Sequence, residues 1–175
     1  DAEDILLGQT SRDQLDTLRQ QEHIADLRPV SEDALVKRYH LDKRIIAMRV
    51  HGGSNLVGRS LKESRLGAAL GIGVIALQRG GELQPLPDPA TRLEDEDLLL
   101  VTGRTKDLDA IQALTQCRVE ETLPQEVKAL ESEGVGLVEA MLSPHTTLAG
   151  QTLRDLRFRE KYGLTVLAIL REGRI

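Results

Sequence analysis

Aromatic side chains are nearly missing from this chain. Among 175 residues there is no tryptophan, and Tyr39, Phe158 and Tyr162 are the only other members of that class. That excludes a platform on which nucleic-acid bases stack. An excess of positive charge is missing too: the formal net charge is −5, with acidic and basic residues interspersed. Nucleic-acid binding rests on a basic face that neutralises phosphates, so nucleic acid is not an expected partner. The single cysteine, Cys117, leaves no internal disulfide, which fits a reducing compartment or domains that need no staple. Long apolar runs are absent as well. The most apolar stretch, 66–77, carries three glycines and falls well short of the roughly 20 residues a spanning helix requires. It reads instead as a helix end running into a buried strand.

What the chain does have is repetition. Residues 54–83 align without a gap on 146–175, an offset of 92, with identities that include Leu56/Leu148, Gly58/Gly150, Arg65/Arg157, Gly71/Gly163, Arg79/Arg171 and Gly81/Gly173. A second echo joins the other ends: EDILL at 3–7 matches EDLLL at 96–100, and Leu15-Asp16 matches Leu108-Asp109, at an offset of 93. A fixed period dictates the architecture before any single motif does. The chain therefore reads as a piece of a longer protein. Residues 1–27 are the tail of one unit, 28–43 a linker helix, 44–116 a complete unit, 117–135 a linker, and 136–175 the head of another unit. Tail and head each lack what the other carries, so they are expected to complete each other, in cis or by swapping between two chains.

Within the complete unit, RIIAMRVH at 44–51 has the apolar, β-branched character of a strand. A Gly-Gly-Ser-Asn loop follows, and Ser60 with Glu63 forms a capping-box signal for a helix bearing Leu61, Leu66 and Leu70. Residues 73–78 are a strand, and Gly80-Gly81 marks a tight hairpin. The three prolines of 84–89 allow at most an edge strand. A strand at 97–102 and a helix at 106–114, with Leu108, Ile111 and Leu114 on one face, close the unit. Thr152 and Asp155 repeat the capping signal in the second copy, and Ser11 with Gln14 supplies another before Leu15 and Leu18. Ser31–Tyr39 and Pro124–Leu130 read as short linking helices, the second with proline at its first position.

Chemistry-bearing residues are sparse. His23, His40, His51 and His145 occupy no equivalent repeat positions, and none stands at metal-ligand spacing from Cys117. No G-x-S-x-G or cysteine–histidine signature is present, so no enzyme activity, catalytic residue or metal is expected. The acidic run Glu94-Asp95-Glu96-Asp97 reads as a solvated loop entering a strand. The loops 52–59 and 144–151 each lead from a strand to a helix start, where free backbone N–H groups favour anions. Ser54, Asn55, Leu56 and Arg59 could hold a phosphate and cover an apolar ring, and Thr146, Thr147 and Leu148 are their counterparts. The second copy has Gln151 in place of the arginine. The competing reading is that Ser60 and Thr152 cap helices while Leu56 and Leu148 pack. The recurrent arginines, 65/157 and 79/171, read as salt-bridge or strand-edge devices rather than ligand contacts, exposed pairs of this kind contributing about 0–1 kcal/mol each.

The ordered set is a loop, Leu-x-Gly-x-Ser/Thr-Leu, a short helix, Gly, an apolar strand, Arg-x-Gly, a proline-bearing loop and Glu-Asp-Leu-Leu-Leu. It resembles the C-terminal lobe of RCK domains, the TrkA-C family. LAGQTLRDLRFREKYGLTVLAILREG at 148–173 is especially similar to tandem copies in relatives of divalent-anion/sodium symporters; aspartate–alanine exchangers carry similar lobes. The resemblance implies α+β lobes in tandem, each strand-helix-strand-hairpin-strand-helix, that pair into homodimers on the cytoplasmic face of the membrane. They regulate the membrane-embedded transporter domain of the same parent chain, for potassium or for divalent anions with sodium, or set its oligomeric state. Some lobes of this family bind cyclic di-AMP, so that or another small anionic ligand is the class implied. The nucleotide-binding lobe that accompanies them in potassium systems would show G-x-G-x-x-G between strand and helix. No such turn is visible, and neither NAD nor ATP is expected.

Overall fold

The computed structural model describes residues 3–67, 71–103, 108–120, 130–153, 155–172 and 174–175. In chain order its elements are β1 (Ile5–Ser11), α1 (Arg12–Arg19), β2 (Ile24–Pro29), α2 (Glu32–Lys37), a 3-10 turn (Leu41–Lys43), β3 (Ile45–Arg49), α3 (Leu61–Ser64), β4 (Gly73–Arg79), β5 (Glu82–Pro85), β6 (Leu98–Thr102), α4 (Leu108–Thr115), β7 (Arg118–Glu120), β8 (Val135–Leu142), α5 (Phe158–Tyr162) and β9 (Thr165–Leu170). They form two units. One is continuous, Asp42–Leu130; the other is split between Asp1–Leu41 and Glu131–Ile175.

Each unit is an α+β lobe around one antiparallel sheet. The continuous lobe has the strand order β5-β4-β6-β3-β7, and the split lobe β9-β1-β8-β2. Under the repeat offsets β9 stands for β4, β1 for β6, β8 for β3 and β2 for β7, so the two orders are one. The match extends to register. Leu100 lies between Ala76 and Ala47, and its counterpart Leu7 lies between Ala168 and Glu139. Both lobes carry the same irregularity one step along, where Val101 meets Val74 and Gly8 meets Val166. The outermost pairings differ by one residue: Glu120 faces Ala47, while its counterpart Leu27 faces Ala140, the equivalent of Met48, after a register shift between Ile24 and Asp26. The split lobe is thus a circular permutation of the continuous one, with its second half first in sequence. The strands β2 and β7 fall within segments that the sequence reading leaves as unit tail or linker. A three-residue RVE and a proline-ended IADLRP carry little strand signal of their own, and tertiary pairing makes them strands.

Helices cover one face of each sheet. In the continuous lobe Met48, Val50, Leu56, Leu66, Ile72, Leu99, Val101 and Ile111 form the core. In the split lobe Leu6, Leu18, Ala140, Leu142, Leu148, Phe158, Tyr162 and Leu164 do so, and the Phe158 and Tyr162 rings pack there in a tilted arrangement, centroids 4.6 Å apart. Several local expectations need correction. Leu114 is 58% exposed while Thr115 is buried: three-residue spacing drifts around a 3.6-residue helix, and Thr115, four after Ile111, takes the inward place. The helix after Ser60 stops at Ser64 because Arg65 adopts a left-handed conformation, φ 53°; Leu70, expected on that helix, lies outside the described residues. Ser11 stands at the start of α1 without a side-chain capping bond, and in the second copy turns stand at 153 and 155–157 before α5 begins. Of the helix expected at 124–130, all but Leu130 lies outside the described residues.

The two cores differ in one compensating pair. Where the continuous lobe has Val101 and Ile72, the split lobe has Gly8 and Leu164, both pairs buried. A Cβ built on Gly8 would meet the Leu164 Cδ1 and Cγ atoms at 2.5 Å. Leu164 is fully enclosed and has little room to yield. Gly8→Val is therefore expected to destabilise the split lobe by about 1–3 kcal/mol through overpacking. Combining it with Leu164→Ala should cost less than the sum of the two single changes, because the substitutions share one space. Urea melts of the four chains measure the coupling.

Candidate functional site

The two strand-to-helix loops are built alike. After β3 the chain turns back so that the Ser54 N–H reaches the His51 carbonyl at 2.7 Å, and after β8 the Thr146 N–H reaches Ser143 at 3.0 Å. The Ser54 Oγ accepts from the Leu56 N–H at 3.2 Å, as the Thr146 Oγ1 accepts from Leu148 at 3.2 Å. These bonds turn Leu56 and Leu148 inward to their cores, 3% and 7% exposed. Gly58 and Gly150 then take φ of 80° and 79°, a left-handed conformation that glycine adopts without a Cβ penalty. In the continuous lobe Ser54 also donates to the Thr115 carbonyl at 2.6 Å and lies 3.4 Å from the Cys117 Sγ. Asn55 donates from Nδ2 to the Leu114 carbonyl at 2.7 Å. Both residues thus fasten the loop to the end of α4, whose last carbonyls lack helical partners.

Of the seven residues singled out in sequence, Ser54, Leu56, Thr146 and Leu148 are buried and committed to the framework. Asn55, Arg59 and Thr147 are exposed. The helix start beside Arg59 is already satisfied. Leu61 N–H donates to the Thr91 carbonyl and Lys62 N–H to the Pro89 carbonyl, each at 2.9 Å, and Glu63 N–H donates to the Ser60 Oγ at 3.2 Å. The Glu63 carboxylate returns a bond to the Ser60 N–H at 2.8 Å, completing the capping box. That bond, with the Ser60 hydroxyl and the Arg92 and Arg59 charges, holds the Glu63 carboxyl below its ordinary value. Any anion here meets side chains rather than the free main-chain donors that the loop spacing suggests.

The recurrent arginines have distinct roles. Arg65 and Arg157 occupy the same left-handed backbone position, φ 53° and 45°. Arg79 forks onto Asp97, Nε to Oδ1 at 2.8 Å and Nη2 to Oδ2 at 2.7 Å, and Arg171 forks onto Asp4 at 3.1 and 2.8 Å. In each pair the carboxylate is buried while the arginine stays exposed, 40% for Arg79 and 55% for Arg171. Asp97 is 0% and Asp4 3% exposed, so the last residue of the acidic run is a buried anchor while Glu94, Asp95 and Glu96 face solvent. The shared aspartate in EDILL and EDLLL is the signal that could have revealed them. The carbonyl of each aspartate also receives the N–H at the end of the neighbouring strand, Val50 or Leu142, at 2.8 and 2.9 Å. The bond from Arg171, opposed by burial, holds the Asp4 carboxyl below the usual range. A depressed folded value means that this stabilisation is present above about pH 3.9 and is lost as pH falls through the folded value. The difference in melting temperature between the parent chain and Asp4→Asn is accordingly expected to shrink on acidification below that pH.

Among the described residues no group of three metal-binding side chains converges, and no helix is long and apolar enough to cross a membrane.

Against known proteins, residues 45–116 and 137–175 match the TrkA-C domain family. The uncharacterized transporter YfbS of Escherichia coli is 27% identical over 143 residues, which are 79% of this chain and 23% of that protein. Sodium/sulfate cotransporter 1 of Chlamydomonas reinhardtii is 30% identical over 144 residues, 73% of this chain and 16% of the cotransporter. Ktr system potassium uptake protein A of Vibrio alginolyticus is 35% identical over 78 residues, 39% of this chain and 36% of that one. The chain thus spans about a quarter or less of the transporters it matches along most of its own length. A solved structure of the RCK C domain of potassium transport protein KtrA, in complex with cyclic diadenosine monophosphate, covers 47% of this chain and 98% of that chain, at 25% identity and a TM-score of 0.41. With both repeat copies matched, the chain belongs to the TrkA-C domain family.

Proposed function

We propose that this chain is a regulatory module of a membrane ion transporter, held on the cytoplasmic face and without catalysis of its own. The observation that carries the reading is the TrkA-C match in both copies, together with transporters among the relatives aligned along most of the chain. The sodium/sulfate relative aligns over 73% of the chain and the potassium relative over 39%, which favours a divalent-anion/sodium parent. The partners are the membrane-embedded domain of the same parent and a second copy of the module, as a homodimer. Regulation operates through a small anionic ligand, of which cyclic di-AMP is the first to test. A ligand that binds one arrangement of lobes more tightly shifts the equilibrium by that difference in affinity.

Each lobe offers the exposed part of its own loop to a ligand: Asn55 and Arg59 in the continuous lobe, Thr147 in the split lobe. The buried Ser54, Leu56, Thr146 and Leu148 shape those loops from beneath. Arg59→Ala is the discriminating variant, because an exposed substitution away from packing changes stability by roughly 0.5 kcal/mol or less. Asn55→Ala also removes the bond to Leu114 and lowers stability by about 0.5–1.5 kcal/mol on its own. The test is a thermal-shift panel of cyclic dinucleotides, mononucleotides and sulfate. A ligand at a hundred times its Kd adds about 2.7 kcal/mol, so the parent chain should show a selective rise in Tm that Arg59→Ala loses.

A second reading has one observation in its favour: four of the seven loop residues are consumed by framework contacts. In that reading the module only sets the transporter's oligomeric state. A flat panel combined with an unchanged homodimer would select it.

A further inference from the structure

The loop that leads to α3 begins on a histidine acting as a hydrogen-bond acceptor. The Gly53 N–H donates to the His51 Nδ1 at 3.2 Å. A ring nitrogen that accepts carries no proton, so this contact belongs to the neutral imidazole with its hydrogen on Nε2. The split lobe makes the same contact with a group that does not titrate. There Ser143 stands in the place of His51, and its Oγ accepts from the His145 N–H at 3.3 Å. Both turns are closed one residue later by a main-chain bond, from the Ser54 N–H to the His51 carbonyl and from the Thr146 N–H to the Ser143 carbonyl. One geometry is thus held by an acceptor that protonation removes in one lobe, and by a permanent acceptor in the other.

Acidic groups stand beside the histidine. The turn 94–97 is joined to the residue before it: the Val50 N–H donates to the Asp97 carbonyl and the Glu96 N–H to the Val50 carbonyl, each at 2.8 Å. The Asp95 carboxylate lies against the residue after it, since a Cβ built on Gly52 would be 3.5 Å from the Asp95 Oδ2. Of the four carboxylates in this turn, Arg79 engages those of Glu94 and Asp97. Among the described residues no ion pair engages Asp95 or Glu96. On β3, Arg49 forks onto Glu120 at 2.6 and 2.9 Å and donates to the Glu96 carbonyl at 3.1 Å. Arg118 lies opposite Arg49 in the β3–β7 register, and the Cys117 thiol is buried against Ser54. Glu120 already compensates Arg49, which leaves Asp95 to meet an imidazolium. The counterpart of Asp95 in the other copy is Ala2, so the split lobe lacks both the histidine and the carboxylate.

We propose that His51 is a proton switch on the loop of the continuous lobe. Neutral His51 holds the Gly53 N–H. The imidazolium carries a proton on Nδ1, cannot accept that bond, and turns to the Asp95 carboxylate. A nearby opposite charge favours the charged form, and histidine changes charge between about pH 5 and 8. Gly52 and Gly53, both exposed, take up the change. Ser54 stays tied to the Thr115 carbonyl and Leu56 stays buried, so the rest of the loop keeps its anchor. The use of this switch to tune a ligand at Asn55 and Arg59 rests on the reading proposed above; the switch itself does not.

The test measures amide exchange of Gly53, relative to the rate its sequence sets, in the 175-residue protein without ligand. In the parent chain Gly53 is expected to be protected at about pH 7.5 and to lose that protection at about pH 5, the range over which histidine titrates. His51→Ser, which copies Ser143, should keep the protection at both. Asp95→Asn should keep more of it than the parent near the middle of that range. Equal protection of the parent at both pH values would overturn the proposal, as would a His51→Ser chain that loses protection on acidification. No difference between Asp95→Asn and the parent would overturn the exchange of Gly53 for Asp95. A flat thermal-shift panel, by contrast, would remove the ligand reading and leave the switch standing.

Discussion

Deleting residues 1–11 is expected to abolish folding of the split lobe and leave the continuous lobe folded. β1 lies between β8 and β9 and supplies the hydrogen bonds of both. Without it, among the described residues, β8 keeps only β2 and β9 has no strand beside it. Leu6 and Leu7, 2% and 0% exposed, leave with it. Each buried leucine is worth about 2–5 kcal/mol when truncated to alanine, and a whole domain is stable by only about 5–15 kcal/mol. Removing two such side chains and a central strand therefore removes most or all of the stability available. The continuous lobe has its own core and shares none of these pairings. In a nitrogen–proton correlation spectrum the resonances of 135–170 should collapse toward unfolded positions while those of 45–120 stay dispersed. A deleted chain that keeps dispersed signals for β8 and β9 would refute this assignment of β1.

The second large effect is at Asp97. Its carboxylate is fully buried, receives two bonds from Arg79, and accepts from the Glu94 N–H at 2.8 Å. Asp97→Ala removes all three. Bonds to a charged group contribute about 1.5–3 kcal/mol where the site excludes water. The Arg79 side chain is 40% exposed and rehydrates once released, which discounts its share. The expected loss is about 2–4 kcal/mol, measured by urea unfolding. Asp97→Asn should recover part of it, since the amide oxygen still accepts from Glu94 or Arg79. A change below 0.5 kcal/mol for the alanine variant would mean that the fork on the buried carboxylate contributes little. Asp4→Ala acts in the same direction in the split lobe, where Arg171 forms the same fork.

Much of this architecture is legible in the sequence because the chain states it twice. The offsets of 92 and 93 set EDILL against EDLLL and 146–175 against 54–83, and strands, registers and the register shift beside Leu7 and Leu100 follow the same equivalences. The hairpin at Gly80-Gly81 and the edge strand before the prolines are also local, written in residues whose backbone preferences leave few choices. What was not legible depends on pairing in space. β2 and β7 have weak strand sequences and exist because β8 and β3 offer them an edge. Asp97 reads as one of four acidic residues in a row until its partner Arg79, eighteen residues away in sequence, is placed over it. Position in the repeat picks out the candidate loops, but burial decides their division of labour. Ser54 and Leu56 point into the lobe while Asn55 and Arg59 are exposed, a distinction that composition does not carry.

Two copies of one lobe within a single chain, one of them permuted, is the claim on which the regulatory reading rests. Its most direct test is a nuclear Overhauser experiment on β1 and β9 in a mixture of isotope-labelled and unlabelled protein. The cross-strand contacts of Leu7 with Ala168 and of Gln9 with Thr165 are expected to be intramolecular, present within labelled molecules and absent between labelled and unlabelled ones. Cross-strand signals between the two populations would show β1 inserted into the sheet of a second chain, and would contradict closure of the lobe within one molecule.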